Sequence, residues 1–234
     1  VYPSNRLELG MPLVDAIGNN LDNLINNVPE PYRKDAAALP VATDFTLTGA
    51  TVNVPGTEKK AQVGNLTWIC HNLWLQYRFS MDESILRNTL YPTLRRAVNF
   101  YLPFLTEDKS GKLHLKRTYS PEYGTAEDCN YDIALLRWGC NTLLEASRIL
   151  SVDDELIPRW KQVAEYLTDY PQDENGMMIG KDVPFSRSHR HYSHLLMFYP
   201  LYLLNAEQNG SKELMEKSVE HWHSLPGNIL GYTY

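Results

Sequence analysis

Two consecutive apolar stripes at helical spacing constrain this chain more than any other feature. LTWICHNLWLQYRF (66–79) reads as a strong helix ending at Ser80, just before Asp82. A second runs from about Glu83 to Leu105, with Leu86, Leu90, Leu94, Val98 and Leu102 along one face. Pro92 and Pro103 are placed to kink or divide it, because proline lacks an amide donor and crowds the preceding turn. Two such helices joined by a few residues make a hairpin whose apolar faces need further helices to cover them.

The rest of the chain supplies those helices. Leu9, Leu13, Ile17, Leu21, Leu24 and Ile25 form one stripe from Leu7 to Val28, ended by Pro29 and Pro31. Asp132 to Leu150 carries Ile133, Leu136, Leu143, Leu144 and Ile149, and the next helix, capped by Asp153 or Asp154, runs to about Tyr166. Leu195–Leu204 and Lys212–His223 are the last helices expected, before LPGNILGYTY. Long connections lie between some of them. Residues 32–62 hold one or two short strands or an extended loop, with a turn at Pro55-Gly56. In EDKSGKLHLKRTYSPEYG, DKSG is a turn and KLHLKR alternates as a strand does. DKSG lacks the further oxygen ligands of a calcium loop. Pro171 to Pro184 is a loop or short hairpin. The expectation is an all-α array of helical hairpins with minor β in its long loops, one domain over 1–234. In such an array the long loops gather at one end of the helices, where chemistry belongs.

Composition excludes several functions. The net charge is −6 with both signs interspersed, which argues against a nucleic-acid partner, since phosphate binding wants a basic face. No apolar run approaches membrane-spanning length, so no membrane insertion is expected. Fifteen tyrosines and five tryptophans can stack on sugar faces, although most will be packing residues. Cys70, Cys129 and Cys140 make no disulfide framework, and no cofactor motif is present. The chain opens at Val1 without a signal peptide, as a processed product or a fragment does.

Chemistry concentrates in SHRHYSHLLMFYP (188–200). His189, Arg190, His191 and His194 fall within six residues, and an apolar run follows at once, with Ser193 placed to cap a buried helix. Imidazoles and a guanidinium gathered there can grip a polyhydroxylated or anionic ligand, whereas a lone histidine is more often a satisfied core residue. A metal is the competing use. His191 and His194 can share a face, but there is no HExxH and no cysteine pair at zinc spacing, so no metal site is assigned. The second cluster is TYSPEYG, where Pro121 restrains the backbone and Tyr119 and Tyr123 flank Glu122. Partial burial between them would suit Glu122 to general-acid work, while an exposed glutamate on a turn is the plainer alternative.

Four stretches, in order, resemble the catalytic domain of glycoside hydrolase family 95, the inverting α-L-fucosidases and α-L-galactosidases. They are WICHNLWLQYRFSMDESILRNTLYPTLRRAVNFYLPFL (68–105), SPEYG (120–124), DIALLR (132–137) and HRHYSHL (189–195), and the last is the most specific. The resemblance implies an (α/α)6 toroid with a sugar pocket at its centre and a glycan as substrate. It implies Glu122 as general acid and Arg190 and His191 as contacts to sugar hydroxyls. Trp68 becomes a wall of the pocket, and Tyr123 also falls in the site. His189 and His194 brace the loop. Asp132 is either a helix cap or a member of the site. A periplasmic or extracellular location is implied as well.

An inverting glycosidase also needs a group to activate water, its two carboxyls standing roughly 6.5–9.5 Å apart. In this family an aspartate and asparagines do that work, and the alignment of motifs puts them beyond Tyr234 and before Val1. Glu127 and Asp128 have no spacing to support them as substitutes. The toroid is therefore expected to be incomplete in 234 residues, and the chain inactive or nearly so by itself. Two alternatives stand beside the hydrolase: a non-catalytic carbohydrate-binding or scaffold module, and a toroid-fold sugar lyase or epimerase using Tyr123, His189, His191 or His194 as base.

Overall fold

The computed structural model describes residues 1–227 and is rich in helix, with three two-stranded hairpins. The tail from Asn228 on lies outside the described residues. The expected first helix is present in three pieces: a 3-10 turn Leu7–Gly10, then α1 (Met11–Asn19) and α2 (Leu21–Asn26). They part at Asn20, whose backbone leaves the helical region at φ −122° and whose side-chain amide donates back to the Ala16 carbonyl, 2.8 Å away. An asparagine that satisfies its own turn competes with helix continuation. Residues 41–50 settle as a loop closed by one bridge between Thr43 and Gly49. Asp44 holds its tip by accepting from the amides of Thr46 and Thr48.

The central helical hairpin forms as the stripes predict. α3 (Asn65–Ser80) stops where Met81 turns left-handed, at φ 56°. Asp82 then accepts from the Ser84 amide at 2.9 Å and starts α4 (Glu83–Ile85). The helix continues through a widened π turn, Leu86–Leu90, into α5 (Tyr91–Asn99). Pro92 explains the widening: it has no amide to donate, and the longer loop of hydrogen bonding relieves its ring from the preceding turn. A 3-10 turn, Leu102–Phe104, carries Pro103.

α6 (Asn130–Leu150) is the axis of the molecule. Buried residues lie on every side of it, the mark of a helix enclosed by others rather than of a surface one. It packs against α3, α5 and α7 (Ile157–Tyr166). A Cβ on Gly139 would stand 2.6 Å from Val98 Cγ2, so only glycine lets α5 come this close. Asp154 rather than Asp153 prepares α7, accepting from the Leu156 amide at 3.0 Å while pairing with Arg95 at 2.7 Å.

The long connections converge on the N-terminus of α6, as the hairpin array predicts. β1 (Leu105–Glu107) pairs with β2 (Leu113–Leu115), and β3 (Thr118–Ser120) with β4 (Gly124–Ala126). From the α7 side comes the β5–β6 hairpin (Gln172–Asp173, Gly176–Met177). Asn130 ties these together: its amide bonds to Ile179, and its side chain donates to the carbonyls of Pro171 and Met178, each at 2.8 Å.

The helix expected over Leu195–Leu204 does not form. A 3-10 turn (Ser193–Leu195) leads into successive turns, and the Leu203 and Leu204 amides both return to the Met197 carbonyl. Pro200 follows a cis bond to Tyr199 and has no amide to donate. Nor does Ser193 cap a helix; its hydroxyl meets that of Ser120. α8 (Ser211–Ser224) closes the described chain. No helix among the described residues is long and apolar enough to cross a membrane.

Candidate functional site

Glu122 sits at the tip of the β3–β4 hairpin, in the turn that Ser120 and Gly124 close. Its own backbone is left-handed, φ 56°. For an L-residue other than asparagine or aspartate this conformation costs on the order of 1–2 kcal/mol and persists only where surrounding contacts enforce it. Those contacts come from SHRHYSH. Ser120 and Ser193, both buried, bring their hydroxyls to 2.7 Å and fasten the base of the hairpin to the histidine segment.

Across this joint the charged groups meet. Arg190 Nη2 stands 2.5 Å from Glu122 Oε2, and His191 Nε2 stands 3.2 Å from the same oxygen. Arg190 Nε lies 3.2 Å from His191 Nε2 as well. That ring nitrogen can therefore accept from the guanidinium or, when protonated, donate to the carboxylate, but it cannot do both. Glu122 is 52% exposed and His191 15%, so the carboxylate faces solvent while the imidazole lies behind it. The shielding expected from the two tyrosines is absent: Tyr119 lies under the Lys60 ammonium, and Tyr123 turns to the loop behind.

His189 and His194 take the supporting positions. His189 Nδ1 accepts the Arg190 amide at 3.0 Å, and its carbonyl accepts from Trp222 Nε1 at 2.9 Å. Burial, followed by the neighbouring His191, holds its imidazole below the usual histidine range. His194 is fully enclosed and stacked on Phe185, centroids 4.2 Å apart at 12°. Burial pushes it down to about 3, so it is neutral at any physiological pH. Phe185 stacks in turn on Tyr123, 5.0 Å away. Trp68 is placed on α3, partly buried, with its ring edge-on to Tyr131.

Asp132 belongs to the layer beneath. It is buried in the first turn of α6, and the Tyr101 hydroxyl donates to its Oδ1 at 2.8 Å. Burial pushes its carboxyl up to about 7, against the pull of the Thr118 and Tyr101 hydroxyls. Asp128 is spoken for: it accepts the Leu115 amide at 2.7 Å and meets His114 Nδ1 at 2.7 Å. It is therefore not free to activate a water. Among the described residues no three histidine, cysteine, aspartate or glutamate side chains are arranged to hold a metal.

A groove of about 480 Å³ runs between Tyr192–Tyr202 and α8, but Leu195, Phe198, Met215 and Val219 make it apolar. It offers a sugar few hydrogen-bond partners, and Trp222, which lines it, donates to the His189 carbonyl. The sequence singles out Glu122, Arg190 and His191, which the fold brings together. It does not point to Ser120, Phe185, Arg187 and Trp222 as the parts that hold them, because a serine pair or a stacked phenylalanine has no local signature.

A carboxylate, a guanidinium and an imidazole thus meet at the loop end of a helical scaffold. The glycosyl hydrolase family 95 catalytic domain matches residues 2–221, so the chain belongs to that family. "Alpha-L-fucosidase 2" of Arabidopsis thaliana is 29% identical over 167 residues, covering 65% of this chain and 20% of the relative. "Probable alpha-fucosidase A" of Aspergillus niger is 25% identical over 174 residues, covering 65% of this chain and 21% of the relative. The chain thus spans about a fifth of the length of these curated relatives.

Proposed function

We propose that this chain forms the general-acid portion of a glycoside hydrolase domain acting on terminal α-L-fucosyl residues, or the related α-L-galactosyl residues, with inversion. The observation that carries the reading is the meeting of Glu122 with Arg190 and His191 on a strained turn, in a family 95 chain. Glu122 protonates the leaving oxygen. Arg190 and His191 bind ring hydroxyls, and Trp68 lies along the sugar's apolar side. In the structure the carboxylate is engaged by Arg190, whereas a general acid must present a proton. A sugar hydroxyl that takes over the guanidinium releases Glu122 toward the leaving group, so binding prepares the acid.

The helices belong to an (α/α)6 toroid, and all of residues 1–234 to one part of it. The natural setting is periplasmic or extracellular. A lyase reading draws little support from His194, which is enclosed and stacked rather than open to a sugar carbon.

The test is calorimetric titration with L-fucose, L-galactose and D-galactose, repeated on Arg190→Ala and Glu122→Gln. The expected result is binding of L-fucose or L-galactose that Arg190→Ala abolishes and Glu122→Gln leaves largely intact. Binding that ignores Arg190→Ala would refute the site. On a glycan in place of the free sugars, release of an unsaturated product absorbing in the ultraviolet would replace hydrolase with lyase.

A further inference from the structure

Tyr123 follows the candidate acid directly, yet its phenol points away from the carboxylate. Its hydroxyl oxygen accepts two consecutive amides of the opposite loop, Ser186 at 2.8 Å and Arg187 at 3.1 Å. The loop answers with the Arg187 side chain. Its guanidinium lies over the Tyr123 ring, 4.5 Å from the centroid, and its Nη2 donates to the Tyr123 carbonyl at 2.5 Å. The other ring contacts of Tyr123 run to Phe185 at 5.0 Å and to His189 at 5.7 Å.

Tyr123 and Arg187 thus clasp each other through backbone and side chain at once. The clasp lies one residue after Glu122 on one strand of chain and three before Arg190 on the other. Both segments need such a restraint. Glu122 is held in a left-handed conformation, and Arg190 and His191 sit in irregular backbone that no helix or sheet ladder fixes.

We propose that Tyr123 and Arg187 are positioning residues that set the distance between the Glu122 turn and the sugar-binding loop. Neither touches the sugar. The inference rests on the Glu122–Arg190–His191 cluster being the sugar site. A clasp of this kind matters because a misplacement of about 1 Å at a reacting group costs on the order of a hundredfold. It also accounts for an exposed arginine spending its guanidinium on a neighbouring main chain and ring when water is available. Both halves are accessible to mild substitution: Tyr123→Phe keeps the ring and its stacking, and Arg187 is on the surface.

The experiment is proton exchange at the Arg190 Nε–H, followed by nitrogen-15 NMR on the full 234-residue chain, with L-fucose titration of the same samples. Tyr123→Phe and Arg187→Ala are each expected to speed that exchange on the order of tenfold, the effect of losing one or two hydrogen bonds, and to weaken L-fucose comparably. Arg187→Lys, which keeps a cation over the ring, is expected to recover part of the loss. His191→Ala is the control, because the Nε–H faces His191 Nε2 and must lose that partner in the variant. If it speeds exchange while both clasp variants match the wild type, the positioning role is wrong. If wild type binds neither L-fucose nor L-galactose, the assignment of function falls, and the exchange rates still decide the clasp.

Discussion

Asp132 offers the sharpest test of the energetics. It is a carboxyl sealed in the first turn of the most buried helix, hydrogen-bonded by a neutral hydroxyl, that of Tyr101. Burial penalises the charged form and moves the carboxyl from 3.8 to about 7. At ~1.4 kcal/mol per tenfold in proton affinity, the displacement is worth about 4 kcal/mol. The sign follows from linkage. Between about pH 4 and pH 7 the folded chain keeps a proton that the unfolded chain has lost, so this group lowers stability as the pH rises, by ~1.4 kcal/mol per pH unit. Above about pH 7 the loss is complete.

The substitution Asp132→Asn imitates the protonated acid, with an oxygen for the Tyr101 hydroxyl and an amide toward Thr118. This variant should gain on the wild type by about 3 kcal/mol between pH 5 and pH 8, whatever constant difference separates them. Urea unfolding at the two pH values measures it. With a slope of about 3 kcal/mol/M for a chain of this size, the two midpoints should move apart by roughly 1 M. Profiles that stay parallel would refute the buried, proton-holding carboxyl.

On the acid side two imidazoles act in the opposite sense. Burial pushes His71 down to about 4 and His194 to about 3, so below pH 6.5 the unfolded chain binds protons that the fold refuses. In the Asp132→Asn background, stability should fall on acidification from pH 6.5 to 4.5 by up to ~1.4 kcal/mol per unit for each histidine, and a flat urea midpoint would count against both. Gly180→Ala should destabilise by about 1–3 kcal/mol, because the new Cβ would stand 2.5 Å from Ala126 Cβ and 2.7 Å from the Glu127 carbonyl oxygen. Thermal unfolding reads this directly, and an unchanged melting temperature would mean that β4 has room to shift.

What is legible in the sequence follows from what each pattern encodes. α3, α5, α6, α7 and α8 are readable because each long helix repeats its apolar face every three or four residues. The run from Leu195 to Phe198 misleads for a related reason. Its residues are apolar because they are buried on all sides, and burial without periodicity says nothing about backbone conformation. Pro200, lacking an amide, is the one local sign that a helix could not continue. Asn20 shows the same limit from the other direction, since a single side chain bonding its own turn breaks a stripe that otherwise runs on.

The site divides along the same line. Glu122, Arg190 and His191 announce themselves by chemistry, so a sequence can nominate them however far apart they lie along the chain. Their alignment depends on contacts that are ordinary as residues and specific only as pairs: a serine on a serine, a phenylalanine between a tyrosine and a histidine, an arginine over a ring. The serine pair, the Tyr123–Phe185 stack and the Arg187–Tyr123 contact join the β3–β4 hairpin, or the turn it carries, to the 184–194 segment, and His194 backs Phe185 from within it. The two segments meet because the connections that follow α5 and α7 both end against the first turn of α6, where Asn130 collects the Pro171, Met178 and Ile179 backbone. Asn130→Ala should therefore disturb Glu122 and Arg190 together, read as shifts of both residues' amide signals in nitrogen-15 NMR. Ser193→Ala should separate them while leaving the helices in place, so that the same amide signals shift and the far-ultraviolet circular dichroism does not change.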